Sequence, residues 1–505
     1  MAKAAPLVHE SDWKSRAVWS NDGYFRLETD DIGDTPVRLF VTQKLLTEAE
    51  PTLYRQILNA TRFPGVKLVA VTPDVHYGYG VPVGCVILTD RAEGSVAMGP
   101  VGFDIGCGMM SARSDVAAEL ATPDRKLEFN REVIKRVSLG AGGKSVKLGA
   151  LSPTDFQDLI RGGAEHYVEK YGAAFDRSRA ERHRIPVEDS WSVPWGGKGS
   201  PERGLDQLGS LGGGNHFIEL QRCEETGTLF VQVHTGSRGF GHGLATNYFE
   251  MAKAEHAGLG GEVTDIDLGY FTPQSRHFND YLNAVAAGGN FAILNRLVIF
   301  EQIADAFRKV FKADLELIYE ISHNLVQAED HPEFGAVWVH RKGATRAFPG
   351  GHPALKGTIW QDTGHPVLIP GSNRDYSYIL MPEAGAAKSG FSVNHGAGRR
   401  MSRGEALRQL DQQKVNEQYR RDGIVVNLNG DVPLDESNHC YKSSKEVIEA
   451  VVAAGLARVQ YTLWPLASIK GDEKGASRAA RKATKSKERE RNKDRDASRR
   501  TKGHY

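Results

Sequence analysis

Five side chains of types that commonly bind metal ions occur in glycine-rich or strand-end motifs: Asp104, Cys107, His216, His234 and His323. Asp offers a hard oxygen ligand, a Cys thiolate can bridge two cations, and imidazole suits many divalent metals. A lone buried His or Cys is more often a core residue than a ligand, and there is neither a HExxH nor a paired CxxC motif. Their recurrence in one kind of context still favours a two-cation site. Thiolate and imidazole ligands by themselves would favour Zn²⁺.

A second set of residues could bind phosphate. His395 lies in the segment FSVNHGAGRRMSR, whose glycines leave backbone N–H groups open to close approach and whose arginines add cationic donors. A neutral imidazole beside such a cradle can attack phosphorus or transfer a proton. The alternative is a glycine turn beside solvated arginines. The candidate residues in this segment are His395, Gly396, Ala397, Gly398, Arg399, Arg400 and Arg403.

The segment TGSRG, which follows His234 and contains Arg238, could also approach a phosphate group. Short patterns of this kind are weak signals alone. The sequence has no Walker A motif, so it does not support a P-loop nucleotide site.

Strand ends and loops must bring these side chains together. Apolar periodicity predicts helices around Phe278–Lys312, Ser402–Arg421 and Ser443–Ala454. Ser402 with Glu405 three residues later is typical of a capping box. Strands and helices do not alternate regularly, which favours an α+β fold over a doubly wound sheet. Segments rich in Val and Ile predict the strands VRLFV, VKLVAVTP, VGCVILTD, HFIEL, LFVQVHTGS and AVWVHR.

The composition is that of an ordinary globular protein, with 40% apolar and 25% charged residues. The four cysteines lack the density of a disulfide scaffold. The N-terminal segment lacks the apolar run of a signal peptide, and no stretch approaches the roughly 20 apolar residues of a membrane span. We therefore expect a reduced, cytoplasmic protein without a membrane segment.

The net charge of +1 combines a mildly acidic body, at −6, with a basic tail from Asp472 to Tyr505, at +7. The tail has almost no large apolar residues and cannot offset its ordering entropy by burial, so we expect it to be disordered when free. Its charge predicts attraction to the phosphates of a nucleic acid. The alternative is a tail that only aids solubility.

Nine segments, taken in order, resemble the motifs of the RtcB family of RNA ligases. The resemblance runs from about residue 35 to residue 471 and covers most of the chain. It implies a single large α+β catalytic domain with mixed and antiparallel sheets, residues 1–471, followed by the tail, 472–505. The segments are PDVHYGYGVPVG (73–84), VGFDIGCGMMSAR (101–113), LGGGNHFIEL (211–220), VHTGSRGFGH (233–242), ISHN (321–324), PGS (370–372), VNHGAGRRMSR (393–403), DESNHCYK (435–442) and PLASIKG (465–471).

The resemblance also implies a pair of Mn²⁺ ions in place of Zn²⁺. Cys107 would bridge them, Asp104 and His216 would complete one site, and His234 and His323 would complete the other.

His395 resembles the histidine that takes GMP from GTP as a phosphoramidate in this family. Asn215, Arg238 and Arg403 would contact phosphates, and Asp74 matches an acidic residue near the active site. The residues that look like guanine or nucleotide-pocket residues are Glu219, Ser372, Tyr441 and Lys470, together with Gly396, Ala397 and Gly398.

The implied reaction joins RNA 3′-phosphate or 2′,3′-cyclic phosphate ends to 5′-hydroxyl ends, in tRNA splicing or RNA repair. GMP passes from His395 to an RNA 3′-phosphate, and a 5′-hydroxyl then attacks that end and displaces GMP. GTP is the cosubstrate, and the family often works with a small activator protein called archease.

The sequence departs from the family pattern in two places. Asn373-Arg374-Asp375 follows PGS, where the family usually has Met-Gly, and this change could alter the guanine preference. Family members usually end at the KG dipeptide, whereas 34 residues follow Gly471.

Two other functions fit part of the sequence. A metal-dependent phosphodiesterase or cyclic-phosphate hydrolase needs the cations but no nucleotide on histidine, and the intact HGAGR segment argues against it. A non-catalytic RNA-binding protein could use the basic tail, but binding alone needs no metal ligands. The sequence therefore predicts an RNA ligase.

Overall fold

A computed structural model of the chain describes residues 8–173, 175–180, 184–258 and 266–471. The described α-helices are α1 Gln43–Glu48, α2 Leu53–Ala60, α3 Pro123–Arg136, α4 Pro153–Tyr171, α5 Arg238–Gly258, α6 Phe278–Phe311, α7 Arg403–Gln409, α8 Gln412–Arg421 and α9 Ser444–Ala453. The described strands are β1 Ala17–Ser20, β2 Tyr24–Leu27, β3 Val37–Leu39, β4 Val66–His76, β5 Val83–Asp90, β6 Val96–Ala97, β7 Gly108–Ala117, β8 Phe217–Cys223, β9 Thr228–Thr235, β10 Tyr270–Phe271, β11 Glu316–Ser322, β12 Asn324–His331, β13 Gly335–Lys342, β14 Ala344–Arg346, β15 Val367–Ile369, β16 Ser377–Pro382, β17 Ser392–Asn394, β18 Val425–Val426 and β19 Ala457–Lys470.

Two large sheets organise these strands. The first has the order β11-β7-β9-β8-β19-β16-β15, with β18 beside β19, and the second has the order β1-β2-β3-β4-β5-β13-β12. Neighbouring strands in the described residues pair antiparallel, except for β3 with β4 and β18 with β19, which pair parallel. The predicted α+β class with mixed and antiparallel sheets is confirmed.

The first sheet is buried on both faces because successive side chains of a strand point to opposite sides. In β7, Met110 and Ala112 pack in a large apolar cluster with α3, α4, α5 and α6, whereas Met109 packs with Phe217 in a separate cluster. A sheet covered in this way is a rigid frame for residues at its strand ends.

Helix α6 is the centre of the larger cluster. In the described part of the chain it is the one helix long and apolar enough to cross a membrane, and 94% of its most apolar window is buried inside the protein. It is therefore a core helix, and its burial explains why apolar periodicity predicted it over nearly the same residues.

The helix predicted over Ser402–Arg421 is wrong as a single element. The capping prediction is confirmed, because the Ser402 hydroxyl accepts a hydrogen bond from Glu405 N at 3.2 Å. The chain then leaves the helix at Leu410, and Asp411 caps a second helix by accepting from Lys414 N at 2.9 Å. Asp competes for backbone N–H groups in this way at helix starts. The six predicted strand segments are confirmed with small shifts at their ends.

Candidate active site

Four neighbouring strands of the first sheet end at one edge, and each carries a predicted metal ligand there. Cys107 precedes β7 and His216 precedes β8, whereas His234 lies at the end of β9 and His323 follows β11. These neighbours are antiparallel, so the start of one strand lies beside the end of the next. Their registers bring all four residues to the same edge.

The five predicted ligands form two groups that share Cys107. Within each group the candidate ligand atoms lie within 4.8 Å of one another. Cys107 Sγ is 3.3 Å from His234 Nε2 and 3.6 Å from His216 Nε2. His216 Nε2 is 3.1 Å from Asp104 Oδ2, and His234 Nε2 is 3.3 Å from His323 Nε2. A shared sulfur with two ligands on either side suits two divalent cations.

Backbone carbonyls orient two of the imidazoles. His216 Nδ1 lies 3.0 Å from the carbonyl oxygen of Leu211, and His234 Nδ1 lies 3.1 Å from that of Asn215. A carbonyl oxygen can only accept, so each Nδ1 carries a proton and each Nε2 would supply its lone pair to a bound cation. Both lone pairs are thus available to a cation near Cys107, as is common for metal-binding histidines.

Burial sets the protonation of the ligands. It holds the pKa of His234 and His323 well below the usual value, so both rings are neutral. Burial and the nearby Asp104 carboxylate raise the pKa of the Cys107 thiol. Burial would also raise the pKa of Asp104, but its contact with His216 holds that pKa below the usual range. A cation would stabilise the thiolate directly, so its binding would release the thiol proton.

The buried side chain of Arg296, on α6, holds three of the ligand-bearing strand ends. Its Nη1 donates to the carbonyl oxygen of Gly106 at 2.7 Å and to that of Thr235 at 3.0 Å. Its Nη2 donates to Ser322 Oγ at 2.7 Å. These three residues adjoin Cys107, His234 and His323 in the sequence, so one guanidinium fixes the spacing of three candidate ligands.

His395 follows β17, and its ring centroid lies 4.9 Å from that of His323. The buried carboxylate of Asp74 places Oδ2 2.6 Å from His395 Nδ1 and accepts the backbone N–H groups of His395 and Gly396 at 3.1 and 3.2 Å. Burial would raise the pKa of Asp74, but His395 and the Thr72 hydroxyl hold it below the usual value. A carboxylate at Nδ1 favours a proton there, which leaves Nε2 free to act as a nucleophile.

The loop after His395 requires glycine at one position. Gly398 has a φ of +78°, and a Cβ at this residue would lie 2.1 Å from the carbonyl oxygen of Asp74. A side chain would therefore push the loop away from Asp74 and disturb the position of His395.

A cavity of about 220 Å³ opens beside His395. It combines polar side chains with backbone groups of the glycine loop, which suits a ligand that has both a ring and phosphates. Ten of the predicted nucleotide-contact residues line it. They are Asn215, Glu219, Ser372, His395, Gly396, Ala397, Gly398, Arg403, Tyr441 and Lys470.

Glu436 organises the cations of this cavity. Its buried carboxylate accepts from the Tyr441 hydroxyl at 2.5 Å and lies 2.5 Å from Arg403 and 3.4 Å from both Arg399 and Lys470. Burial opposes its ionisation, but Lys470, Arg403 and Arg399 together lower the pKa of Glu436 to about 2. The three cations are therefore held around one anion, with their remaining donors available to phosphate.

A second cavity, of about 360 Å³, shares part of its lining with the first. His76, Asn215 and His395 line both cavities, and Cys107 and His323 line the second. His395 thus borders both a cavity lined by the candidate phosphate-binding residues and a cavity lined by candidate metal ligands.

Arg238 differs from the other predicted phosphate contacts, because it lines neither cavity. Its guanidinium donates to the carbonyl oxygen of Gly140 at 2.9 Å and to Ser210 Oγ at 3.2 Å. Burial lowers its pKa to about 10. In this arrangement Arg238 supports the loop beside His216, and a phosphate contact would need its side chain to move.

The last described residues show where the chain leaves the site. Lys470 is buried with Nζ directed at Glu436. Gly471 packs so closely that a Cβ would lie 2.2 Å from the carbonyl oxygen of Gly212 and 2.9 Å from Gly140 N. The chain therefore passes between these two loops, and the tail that follows lies outside the described residues.

Sequence reasoning did not single out Arg296, Glu436 or His76. Arg296 had a signal, because it is a lone charge in the apolar segment FAILNRLVIF, and such a charge is buried only when paired. Glu436 and His76 belong to quoted motifs, but nothing in the sequence shows that the first gathers three cations or that the second lines both cavities.

Two groups of candidate metal ligands, a histidine beside them and a cavity lined by Arg and Lys are the arrangement expected of an enzyme that transfers phosphate-linked groups. The comparisons with known proteins agree. Residues 56–471 match the family described as tRNA-splicing ligase RtcB.

Curated relatives extend this match. The chain is 35% identical over 467 residues to a tRNA-splicing ligase RtcB from Pyrobaculum aerophilum, covering 86% of this chain and 95% of that protein. It is 34% identical to a tRNA-splicing ligase RtcB from Thermococcus kodakarensis, and the match covers 86% of this chain and 95% of that protein. It is also 34% identical to an RNA-splicing ligase RtcB from Mycobacterium bovis, and the match covers 82% of this chain and 100% of that protein. The chain belongs to the RtcB family of RNA ligases, as its motifs predicted.

Proposed function

We propose that this protein is a GTP- and Mn²⁺-dependent RNA ligase that joins RNA 3′-phosphate or 2′,3′-cyclic phosphate ends to 5′-hydroxyl ends through a guanylylated His395. The observation that carries the proposal is the position of His395. Its ring lies beside His323, one of the candidate metal ligands, and lines both cavities. A group that accepts GMP from one substrate and passes it to another must face both.

Two cations fit the residues present. Asp104 and His216 on one side and His234 and His323 on the other would hold them, with Cys107 shared. When bound, the cations would neutralise charge that develops on phosphate oxygens during each transfer. The choice of Mn²⁺ rests on the family resemblance, since this donor set alone also suits Zn²⁺.

The nucleotide would occupy the smaller cavity. Lys470, Arg399 and Arg403 surround Glu436 at its wall and supply positive charge for the phosphates. Glu219, buried in the same cavity, offers a carboxylate for the N1–H and N2–H donors of guanine. Ser372 and Tyr441 also line this space.

The chemistry then proceeds on the side chain of His395. Its Nε2 attacks the α-phosphorus of GTP, a P–N bond forms, and pyrophosphate leaves, while Asp74 stabilises the positive charge on the ring. A 3′-phosphate oxygen of the RNA next attacks the same phosphorus and frees the imidazole; a 2′,3′-cyclic end gives this 3′-phosphate after water attacks its phosphorus and the bond to O2′ breaks. A 5′-hydroxyl finally attacks the RNA phosphorus, loses its proton, and displaces GMP.

The experiment is labelling with GTP that carries ³²P at the α-phosphate, in the presence of Mn²⁺, followed by denaturing electrophoresis. We expect label on the chain that is labile in acid, and no label from GTP that carries ³²P at the γ-phosphate. Cys107→Ala should abolish labelling. Cys223→Ala is a matched control, because Cys223 is also buried but lies at the far end of β8.

A different outcome would support the alternative enzyme. A metal-dependent phosphodiesterase would open 2′,3′-cyclic phosphate ends and form no labelled chain. Cleavage without labelling would therefore replace the ligase proposal.

The biological setting follows from the family. We propose tRNA splicing or RNA repair as the pathway, RNA ends as the substrate, archease as a candidate activator and the cytoplasm as the location. We also propose that residues 1–471 form the catalytic domain and 472–505 a separate basic tail.

A further inference from the structure

The loop after Pro370-Gly-Ser departs from the family pattern, and one of its three residues enters the nucleotide cavity. Asn373 is 3% exposed and lines that cavity. Arg374 instead pairs with Asp422, Nε to Oδ2 at 2.6 Å. Asp375 accepts the backbone N–H of Ser444 at 2.9 Å. Of these three residues, Asn373 is therefore the one that would contact a nucleotide in the cavity.

The amide of Asn373 is fixed at its oxygen and unpaired at its nitrogen. The Tyr419 hydroxyl lies 2.5 Å from Oδ1. This separation fits an O–H donor with an oxygen acceptor and is too short for an N–H donor, so the amide orientation is set. The same hydroxyl accepts the backbone N–H of Asn438 at 3.0 Å, which leaves its proton to be donated to an oxygen. Asn373 Nδ2 has no protein partner and is buried.

An unpaired buried amide donor is unfavourable unless a ligand or water satisfies it. Asn373 lines the cavity while its Nδ2 is itself covered, so a nucleotide bound there would pair with this N–H after a small turn of the amide. Tyr419 fixes the amide at its oxygen, which reduces the side-chain entropy that would be lost on binding.

Glu219 belongs to the same part of the cavity. Gln221 Nε2 donates to Glu219 Oε2 at 2.8 Å and to Ser377 Oγ at 3.1 Å. Ser377 Oγ in turn accepts the backbone N–H of Gly371 at 3.0 Å. This chain of hydrogen bonds ties the loop that carries Asn373 to the strand that carries Glu219.

We propose that Asn373 is a base-specificity residue whose Nδ2 donates to the O6 atom of guanine. The inference rests on the proposed use of GTP. Guanine presents N2–H, N1–H and O6 along one edge, which is two donors followed by an acceptor. The Glu219 carboxylate matches the two donors, and the Asn373 amide supplies the donor that O6 needs. Adenine presents an N–H donor at the O6 position, which would face the amide donor and be rejected.

The test measures guanylylation of the chain by mass spectrometry with GTP, 6-thio-GTP, 7-deaza-GTP and ATP. Sulfur is a weak acceptor, so 6-thio-GTP removes the contact at position 6 and keeps N1–H and N2–H. For the wild type we expect KM for 6-thio-GTP to be about tenfold above that for GTP, the effect of one buried hydrogen bond. Replacing N7 in 7-deaza-GTP should change little.

Asn373→Ala should raise KM for GTP about tenfold with little change in the maximal rate, and should make GTP and 6-thio-GTP equivalent. Tyr419→Phe should give a smaller loss, because the donor remains but its orientation is freed. Arg374→Ala is the matched control from the same loop and should keep the wild-type preference.

The results separate a failure of the O6 contact from a failure of the proposed ligase function. The O6 contact is overturned if Asn373→Ala still prefers GTP over 6-thio-GTP. It is also overturned if the wild type uses 6-thio-GTP as well as GTP but discriminates against 7-deaza-GTP. Either result leaves the ligase proposal standing. A wild type that forms no adduct with any of the four triphosphates overturns both.

Discussion

Arg296 and Glu320 form an ion pair in which both side chains are completely buried, with Nε 2.5 Å from Oε1. The pair joins α6 to β11 at the strand ends that carry the candidate metal ligands. The carboxylate neutralises a guanidinium whose other donors bind backbone oxygens next to Cys107 and His234. The ion pair therefore links the core helix directly to the site.

Arg296→Lys should weaken Mn²⁺ binding by roughly 10-fold to 100-fold, as is typical when groups behind metal ligands are altered. Lysine keeps the charge beside Glu320 but cannot reach both carbonyl oxygens at once. Isothermal titration with Mn²⁺ measures the effect. Arg341→Lys is the matched control, because Arg341 is also buried and pairs with a buried carboxylate, that of Glu329, but its guanidinium donates to no described residue that adjoins a candidate metal ligand. Equal losses of affinity in both variants would contradict this role.

Asp74→Asn should slow guanylylation of His395 by roughly 10²-fold to 10⁴-fold, the usual range for loss of a group that sets proton position. An amide can face Nδ1 with its N–H group and thereby favour the tautomer in which Nε2 carries the proton. Single-turnover labelling gives the rate. Thr72→Ser is the control, because it keeps a hydroxyl for Asp74. Near-normal labelling by a folded Asp74→Asn protein would show that the carboxylate does not orient the ring.

Glu219 predicts a pH dependence of GTP use. Burial raises the pKa of Glu219 to about 7, against the lowering effects of Gln221, Lys470 and Ser468. The ionised form, which can accept both guanine N–H donors, is present above that pKa and is lost as the pH falls through it. KM for GTP should therefore rise about tenfold between pH 8 and pH 6, with Mn²⁺ saturating. Glu219→Gln should have a high KM with a flat profile, and a wild-type profile in that variant would exclude Glu219 as the cause.

The sequence predicted those parts of the fold and site that depend on contacts between residues close together in the chain. Strands such as β5 and β9 were predictable because Val and Ile alternate or run together within a few residues. The segment Ser402–Arg421 was wrongly predicted as one helix, because the break before Gln412 depends on the Asp411 side chain, which accepts a backbone N–H at the start of the second helix.

The candidate metal ligands were recognisable as a set, but the sequence did not show which of them become neighbours in the fold. Cys107 and His323 are 216 positions apart, and only the register of β7 with β11 makes them neighbours. The cluster of cations around Glu436 and the unpaired amide of Asn373 likewise arise from contacts between distant segments, which local patterns do not report.

Removal of residues 474–505 should weaken RNA binding and flatten its salt dependence while guanylylation persists. These residues contain 13 Lys/Arg and 4 Asp/Glu but lie outside the described residues, so the prediction rests on charge alone. For every phosphate that the tail neutralises, its removal should reduce the slope of log affinity against log salt concentration by about 0.7 for single-stranded RNA. Fluorescence anisotropy over a salt series measures it. An unchanged slope would indicate a tail that only aids solubility.

The central claim is that His395 carries GMP between GTP and RNA. The most direct measurement is peptide mapping by mass spectrometry after incubation with GTP and Mn²⁺, paired with sealing assays on His395→Ala. We predict a GMP adduct on the peptide that contains His395. We also predict that His395→Ala fails to seal 3′-phosphate RNA but still seals RNA that already carries a 3′-guanylyl group, because Nε2 is needed only until GMP has moved. An adduct on another residue, or sealing of unmodified 3′-phosphate ends by His395→Ala, would contradict the account.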